Sequence, residues 1–332
     1  MPPLDATPVE HPIETPVETV DPLPAPVTAL RRAGDADPDR TSAPRGPAWL
    51  RAVRPRQWPK NALVLAAPLA GGRVLDPEVL VGALVAFAVF CVAASGCYLL
   101  NDALDAPQDR LHPTKRRRPV AAGEIGVRAA VAVGTVLMLA AVVAATLWAL
   151  PLGLTVLAYV AVQAAYLGGV KDEPALDLAV VSSGFLLRAI AGGTASGLAL
   201  SPWFLLVATF GALFVVSGKR YSEMVRMGAD AGTRPSLRKY SASYLRFVWT
   251  MAAGVTVTVY LLWALNGPGS AAGGTPWAAI SVAPFVLCLM RYAAVVDRGH
   301  AERPEEIVLG DRHLQVIAVV WVALVAVGAV LG

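Results

Sequence analysis

Beyond about residue 60 the chain alternates between long apolar blocks and short polar connections. The blocks run from Asn61 to Ala70, Glu78 to Leu100, Arg128 to Leu150, Leu152 to Val170, Ala175 to Leu198, Trp203 to Ser217, Tyr244 to Leu265, Trp277 to Val296 and Leu314 to Leu331. Most approach the roughly 20 apolar residues needed to cross a hydrocarbon core about 30 Å thick. The pattern predicts an all-α polytopic membrane protein, a bundle of nine transmembrane helices. The first block is short, but the preceding PAWLRAVRPRQW can lie in the interface and lead into a span broken near Pro59 and Pro68.

Residues 1–46 depart from this pattern: rich in Pro, Thr, Asp and Glu and poor in aromatics, they offer too little apolar area to offset the entropy of ordering. They are expected to form a disordered cytoplasmic tail ahead of a transmembrane catalytic domain over 47–332. The tail lacks the basic start and short apolar stretch of a cleavable signal peptide, so the first span is expected to direct insertion.

Composition supports the bilayer as solvent: hydrophobic residues make up 56% of the chain, charged residues 16%, and mean hydropathy is +0.56. A net charge of +4 and a pI near 9.1 do not call for nucleic acid, because Lys and Arg in such chains usually record topology. Of the 28 basic residues, all but Arg73 and Arg188 fall in the tail, in connections on one alternating side, or at the adjoining helix ends. The basic side is therefore predicted to face the cytoplasm of a multi-pass plasma-membrane protein. Cys91, Cys97 and Cys288 lie in apolar blocks and read as packing residues.

Chemistry-bearing residues interrupt the pattern in three places. The first is NDALDAPQDRLHPTKRRRP at 101–119. If the second span stays helical past Leu100, Asn101, Asp105 and Asp109 stand at about 0°, 40° and 80° around its axis, with Asp102 at about 100°. Carboxylates so close repel unless a cation intervenes, and hard oxygen ligands suit Mg²⁺ bound together with substrate phosphates. Asn101, Asp102, Asp105 and Asp109 are the candidate metal ligands, and the three aspartates the candidate catalytic residues. His112, Lys115, Arg116, Arg117 and Arg118 add groups that bind anions. A solvated helix end is the plainer alternative.

In the second place, YLGGVKDEPALDLAVVSSGFLLRAIAGG, Lys171, Asp172 and Asp177 precede Arg188. An Arg deep in a span costs roughly 2.5 to 3.5 kcal/mol on insertion scales, so it should face the interior or a wet cavity. Asp177 or a bound anion is its expected partner, and a purely structural ion pair is the alternative. The third is the connection that opens with SGKRYSEM, with Lys219, Arg220, Tyr221 and Glu223 at the end of the sixth span and Arg238, Lys239 and Tyr240 before the seventh; it reads equally as a cap over an anion or as contact with acidic lipid.

NDALDAPQD resembles the NDxxDxxxD motif of the UbiA superfamily of intramembrane prenyltransferases, and Tyr166 to Gly193 resembles its second conserved region. The resemblance covers about residues 48–332. RPRQWPKN at 54–61, FLLRAIAGG at 185–193 and SGKRYSEM at 217–224 are similar to the phosphoribosyltransferase branch, known from arabinan synthesis for mycobacterial and related cell walls. This resemblance implies a UbiA-like bundle with a cytoplasm-facing cavity. It also implies 5-phosphoribosyl diphosphate (PRPP) as donor, a polyprenyl phosphate such as decaprenyl phosphate as acceptor, and Mg²⁺ as cofactor. Lys115, Arg118, Lys171 and Arg188 become candidates for the phosphates of PRPP, with Asp177 beside them. Lys60 becomes a candidate for the lipid phosphate, and Lys219, Arg220 and Tyr221 would close the cytoplasmic side. The second region carries Lys171 where relatives are richer in Asp, which puts a second metal in doubt. The rivals are a prenyltransferase using a prenyl diphosphate and, from another class, an anion transporter. A homo-oligomer is compatible with the sequence.

Overall fold

The computed structural model describes residues 46–112, 114–170, 173–227, 240–266 and 277–331. The expected tail therefore lies outside the described residues apart from Gly46, as do Lys171, Asp172, Arg238 and Lys239. Every element among the described residues is helical. Short α1 (Ala48–Ala52) is followed by a 3₁₀ helix over Pro55–Leu65 that continues into α2 (Ala66–Ala70). Then come α3 (Pro77–Leu111), a 3₁₀ turn at Lys115–Arg117, α4 (Val127–Trp148), α5 (Leu150–Leu167) and α6 (Pro174–Ala195). The chain ends with α7 (Pro202–Met227), α8 (Ala242–Asn266), α9 (Trp277–Asp297), α10 (Pro304–Gly310) and α11 (Arg312–Leu331).

Seven of these helices among the described residues are long and apolar enough to cross a membrane, and the α10–α11 pair, bent by 86° at its break, makes an eighth if it is counted as one span. The ninth expected span is the 3₁₀–α2 stretch, which is not one continuous α-helix. Pro59 and Pro68 explain the difference, since each removes a backbone donor from the ladder. At about 2.0 Å per residue in 3₁₀ form and 1.5 Å in α form, its sixteen residues still reach roughly 30 Å. Its threefold repeat sets one ridge, Trp58, Asn61 and Val64, against the bundle. Trp58 Nε1 donates to Ser95 Oγ at 3.2 Å, Asn61 Nδ2 meets Cys91 Sγ at 3.2 Å, and Val64 is fully buried.

Proline stands in the first turn of α3, α5, α6 and α10, where its missing N–H is no loss. Without side chains in the way, helices approach closely. A Cβ on Gly96 of α3 would sit 2.6 Å from Gly134 O of α4, and one on Gly192 of α6 only 1.7 Å from Val64 O. Neighbours in sequence pack side by side, and α11 touches both α9 and α2, which returns the last helix to the first. One core cluster joins α3, α4, α5 and α6 around Phe90, Leu152 and Tyr159. A second joins α6, α7, α8 and α9 around Phe214, Leu245 and Val296. At 35 residues α3 is about 52 Å long, well beyond the hydrocarbon thickness, so its last three turns carry Asn101 to Leu111 past the apolar layer.

Candidate active site

Between the two core clusters lies a cavity of about 2510 Å³, more than twice the upper end of the range typical of small-molecule pockets, roughly 1,000 Å³. Its polar end is lined from the C-terminal turns of α3, α5 and α7, the 3₁₀ stretch and α10. Apolar side chains of α2, α7, α9 and α11 line the remainder. Seven cations line it, Arg54, Lys60, Lys115, Arg118, Arg188, Lys219 and Arg220, against three carboxylates, Asp105, Glu223 and Glu305. That excess favours an anionic ligand, and the apolar extension favours one with a hydrocarbon part.

The acidic motif divides across its helix. Asn101 and Asp105, one turn apart, line the cavity, whereas Asp102 and Asp109 lie behind its wall, 1% and 3% exposed. Asp102 Oδ1 accepts from Arg54 Nη2 at 2.5 Å and from Arg118 Nη1 at 3.2 Å, and Asp109 Oδ2 accepts from the same Arg118 nitrogen at 2.7 Å. These two carboxylates thus hold two cavity-lining arginines. Arg54 also lies 5.0 Å from the Tyr98 ring centroid and sits at φ 54° and ψ 61°, a left-handed conformation costing a non-glycine residue about 1–2 kcal/mol. Among the described residues no three His, Cys, Asp or Glu side chains form a metal-holding group. Two donors, Asn101 and Asp105, remain on the wall. Mg²⁺ commonly binds through one or two carboxylates and completes its shell with phosphate oxygens and water, so this donor set fits it.

Lys115 lines the cavity beside His112, whose Nδ1 accepts from the backbone N–H groups of Thr114 and Lys115 at 3.2 and 3.3 Å. Burial, and then the charge of Lys115, hold the His112 pKa below its ordinary value, so the ring is neutral at pH 7.

The second region corrects an expectation. Asp177, fully buried, does not partner Arg188: its two oxygens accept from Arg220 Nε and Nη2 at 2.8 and 3.0 Å, and Tyr240 Oη donates to Oδ2 at 3.2 Å. Burial and the Asp177 carboxylate raise the Tyr240 pKa, which keeps that phenol a donor. Asp177 is absent from the cavity wall; it anchors Arg220, which is on it. Arg188 instead donates to Asn61 Oδ1 at 2.7 Å, Gly184 O at 2.6 Å and Tyr159 Oη at 3.1 Å. The Tyr159 and Phe90 ring centroids lie 4.9 and 5.5 Å away. Among the described residues it forms no salt bridge, and it lines the cavity wall.

Tyr221 also departs from expectation: it is buried on the opposite face of α7, accepts from Arg246 Nη2 at 2.7 Å and packs near Trp249. About 100° of helix rotation separates it from Arg220 and about 160° from the other cavity-lining cation of α7, Lys219. Lys60 and Lys219 both line the cavity. Sequence reasoning missed Arg54 and Asn61, although both belong to the RPRQWPKN stretch singled out above.

A model of the UbiA prenyltransferase family matches residues 62–317. The chain belongs to that family. Among UbiA relatives, a decaprenyl-phosphate phosphoribosyltransferase of Corynebacterium glutamicum is 46% identical over 290 residues, 82% of this chain and 84% of that protein. One of Mycobacterium tuberculosis is 46% identical over 288 residues, 85% of this chain and 94% of that protein. A solved UbiA homologue from Archaeoglobus fulgidus bound to DMAPP and Mg²⁺ covers 86% of this chain and all of its own at a TM-score of 0.66. At 16% identity it establishes the shared fold. The chain is accordingly an integral membrane transferase of the UbiA fold.

Proposed function

We propose that this protein transfers the 5-phosphoribosyl group of PRPP to a polyprenyl phosphate, decaprenyl phosphate by the names of its relatives, releasing diphosphate for a cell-wall arabinan precursor. The observation that carries the reading is one cavity whose cation-lined end opens into an apolar chamber, a shape for a polyanionic sugar meeting a phosphorylated lipid. Identity of 46% to phosphoribosyltransferases over more than four fifths of the chain supports it.

Asn101 and Asp105 would hold Mg²⁺, which when bound supplies charge neutralisation to the diphosphate. Arg54 and Arg118, fixed by Asp102 and Asp109, orient the same group. Lys115 and Arg220 extend the cationic wall, with Arg188 farther along α6. In the transfer the C1–O bond to diphosphate breaks with its electron pair leaving on oxygen, and a phosphate oxygen of the lipid forms the new C1–O bond. That oxygen is already ionised near neutral pH, so the side chains need remove no proton. The excess of Lys and Arg in the connections on this side supports a reading in which this end of the cavity faces the cytoplasm at the plasma membrane.

The test is to incubate membranes containing the protein with labelled PRPP and decaprenyl phosphate, with and without Mg²⁺. Labelled lipid formed only with the metal supports the reading; a prenyl diphosphate consumed in place of PRPP would favour the rival prenyltransferase.

A further inference from the structure

One corner of the cavity holds charges that the transfer step above does not use. Lys60, on the 3₁₀ stretch, donates to Gln57 Oε1 at 2.6 Å and pairs with Glu305 Oε1 of α10 at 3.4 Å. The other oxygen of Glu305 is buried with no hydrogen-bond partner among the described residues. Lys219 pairs with Glu223 Oε1 at 3.8 Å and lies within electrostatic reach of both Lys60 and Glu305. Tyr292 of α9, 7% exposed and lining the same cavity, has a buried hydroxyl without a partner and also lies within electrostatic reach of Glu305.

A buried hydroxyl and a buried carboxylate oxygen that both lack partners are costly features to keep. Lys60 reaches a protein carboxylate that sits badly satisfied, Lys219 on the same cavity wall lies near enough to feel both, and the neighbouring Tyr292 phenol has a proton to donate. A phosphate group suits that spot better, because its extra oxygens can accept from both lysines and the tyrosine together. Ahead of it lies the apolar chamber of α2, α9 and α11, so a phosphate seated here directs its hydrocarbon chain into the wall best suited to it.

Resting on the function proposed above, we infer that Lys60, Lys219 and Tyr292 form the seat of the acceptor's lipid phosphate, and that Glu305 is a resident carboxylate the acceptor must displace. Glu305 thereby couples acceptor entry to release of α10 from the 3₁₀ stretch. It also sets a threshold: neutral prenols lack the charge to dislodge it, so the site selects phosphorylated lipids.

The test is steady-state kinetics of the full-length protein with PRPP and decaprenyl phosphate, comparing wild type, Glu305→Gln and Tyr292→Phe. Glu305→Gln removes the competing charge and keeps the volume, so KM for decaprenyl phosphate should fall, by about fivefold if the pair holds as a strong surface salt bridge does. Tyr292→Phe should raise the same KM by about tenfold, the low end for a hydrogen bond to a charged group. Neither should move KM for PRPP. An unchanged or raised acceptor KM in Glu305→Gln, or a shift in the PRPP KM of either variant, overturns the inference. A wild-type protein that makes no labelled lipid removes the functional reading and this inference together; one that does, with variants whose acceptor KM stays put, removes this inference alone.

Discussion

Asp102→Asn separates two jobs that a carboxylate in an NDxxDxxxD motif can perform. The side chain is 1% exposed, its Oδ1 accepts from two arginines, and its Oδ2 has no hydrogen-bond partner among the described residues. An asparagine of the same shape can keep both bonds on its carbonyl oxygen, but each changes from an ion pair to an ion–dipole contact in which only the guanidinium is charged. Set against the roughly 1.5–3 kcal/mol of a bond to a charged group, each loses about 1–1.5 kcal/mol. The new amide N–H groups also find no acceptor where Oδ2 stood. Two such losses would amount to about 2–3 kcal/mol, but Arg118 retains Asp109 at 2.7 Å and Arg54 is about a quarter exposed, so about half survives screening. The expected result is a rise of roughly tenfold in KM for PRPP, 1.4 kcal/mol being a factor of ten, with the Mg²⁺ concentration for half-maximal rate unchanged. Asp105→Asn, on the cavity wall, should instead raise the Mg²⁺ requirement and collapse kcat. The assay is initial rate against PRPP at saturating Mg²⁺ and against Mg²⁺ at saturating PRPP. If Asp102→Asn shifts the Mg²⁺ midpoint as Asp105→Asn does, Asp102 is a ligand and the division of the motif is wrong.

Three further outcomes are expected. Gly192→Ala puts a Cβ 1.7 Å from Val64 O, a backbone atom that cannot swing aside, so thermal unfolding in detergent should begin several degrees lower, in line with the roughly 1–3 kcal/mol of overpacking. Asp177→Asn leaves buried Arg220 with Glu223, at 3.1 Å, as its remaining counter-charge and weakens its two bonds to residue 177, so it should cost about 1–3 kcal/mol in a thermal melt; a variant as stable as wild type would make Asp177 something other than an anchor. Tyr221→Phe removes a hydroxyl that meets Arg246 and does not line the cavity, so both KM values should stay within about twofold, and a large rise in either would restore the role expected from sequence.

The motif named the right helix end, but its angles were read as setting Asn101, Asp102, Asp105 and Asp109 on one metal-binding face, whereas Asp102 and Asp109 turn behind the cavity wall and accept from arginines. What stands opposite was illegible: Arg54 reaches Asp102 across 48 residues and Asn61 reaches Arg188 across 127. Such meetings depend on where the 3₁₀ stretch docks, and no local pattern encodes that. The pairing of Asp177 with Arg188 was avoidable, since eleven residues on one helix set them about 16 Å apart along its axis. Tyr221 was credited for its place beside Arg220 in sequence, yet on a helix adjacent residues face different neighbours. The broken first span was legible through its two prolines, although its tighter winding was not.

That winding makes the opening span a rack of three teeth, Trp58, Asn61 and Val64, each engaging a different part of the bundle. Relaxed to ordinary α pitch, the eleven residues would shorten by about 5 Å and the teeth would fan around the axis, drawing Asn61 away from the guanidinium it braces. One residue inserted or removed between Trp58 and Val64 would turn the remaining teeth by about 120°. Length there is thus less negotiable than side-chain identity, and gaps in this stretch should be far rarer among working relatives than substitutions.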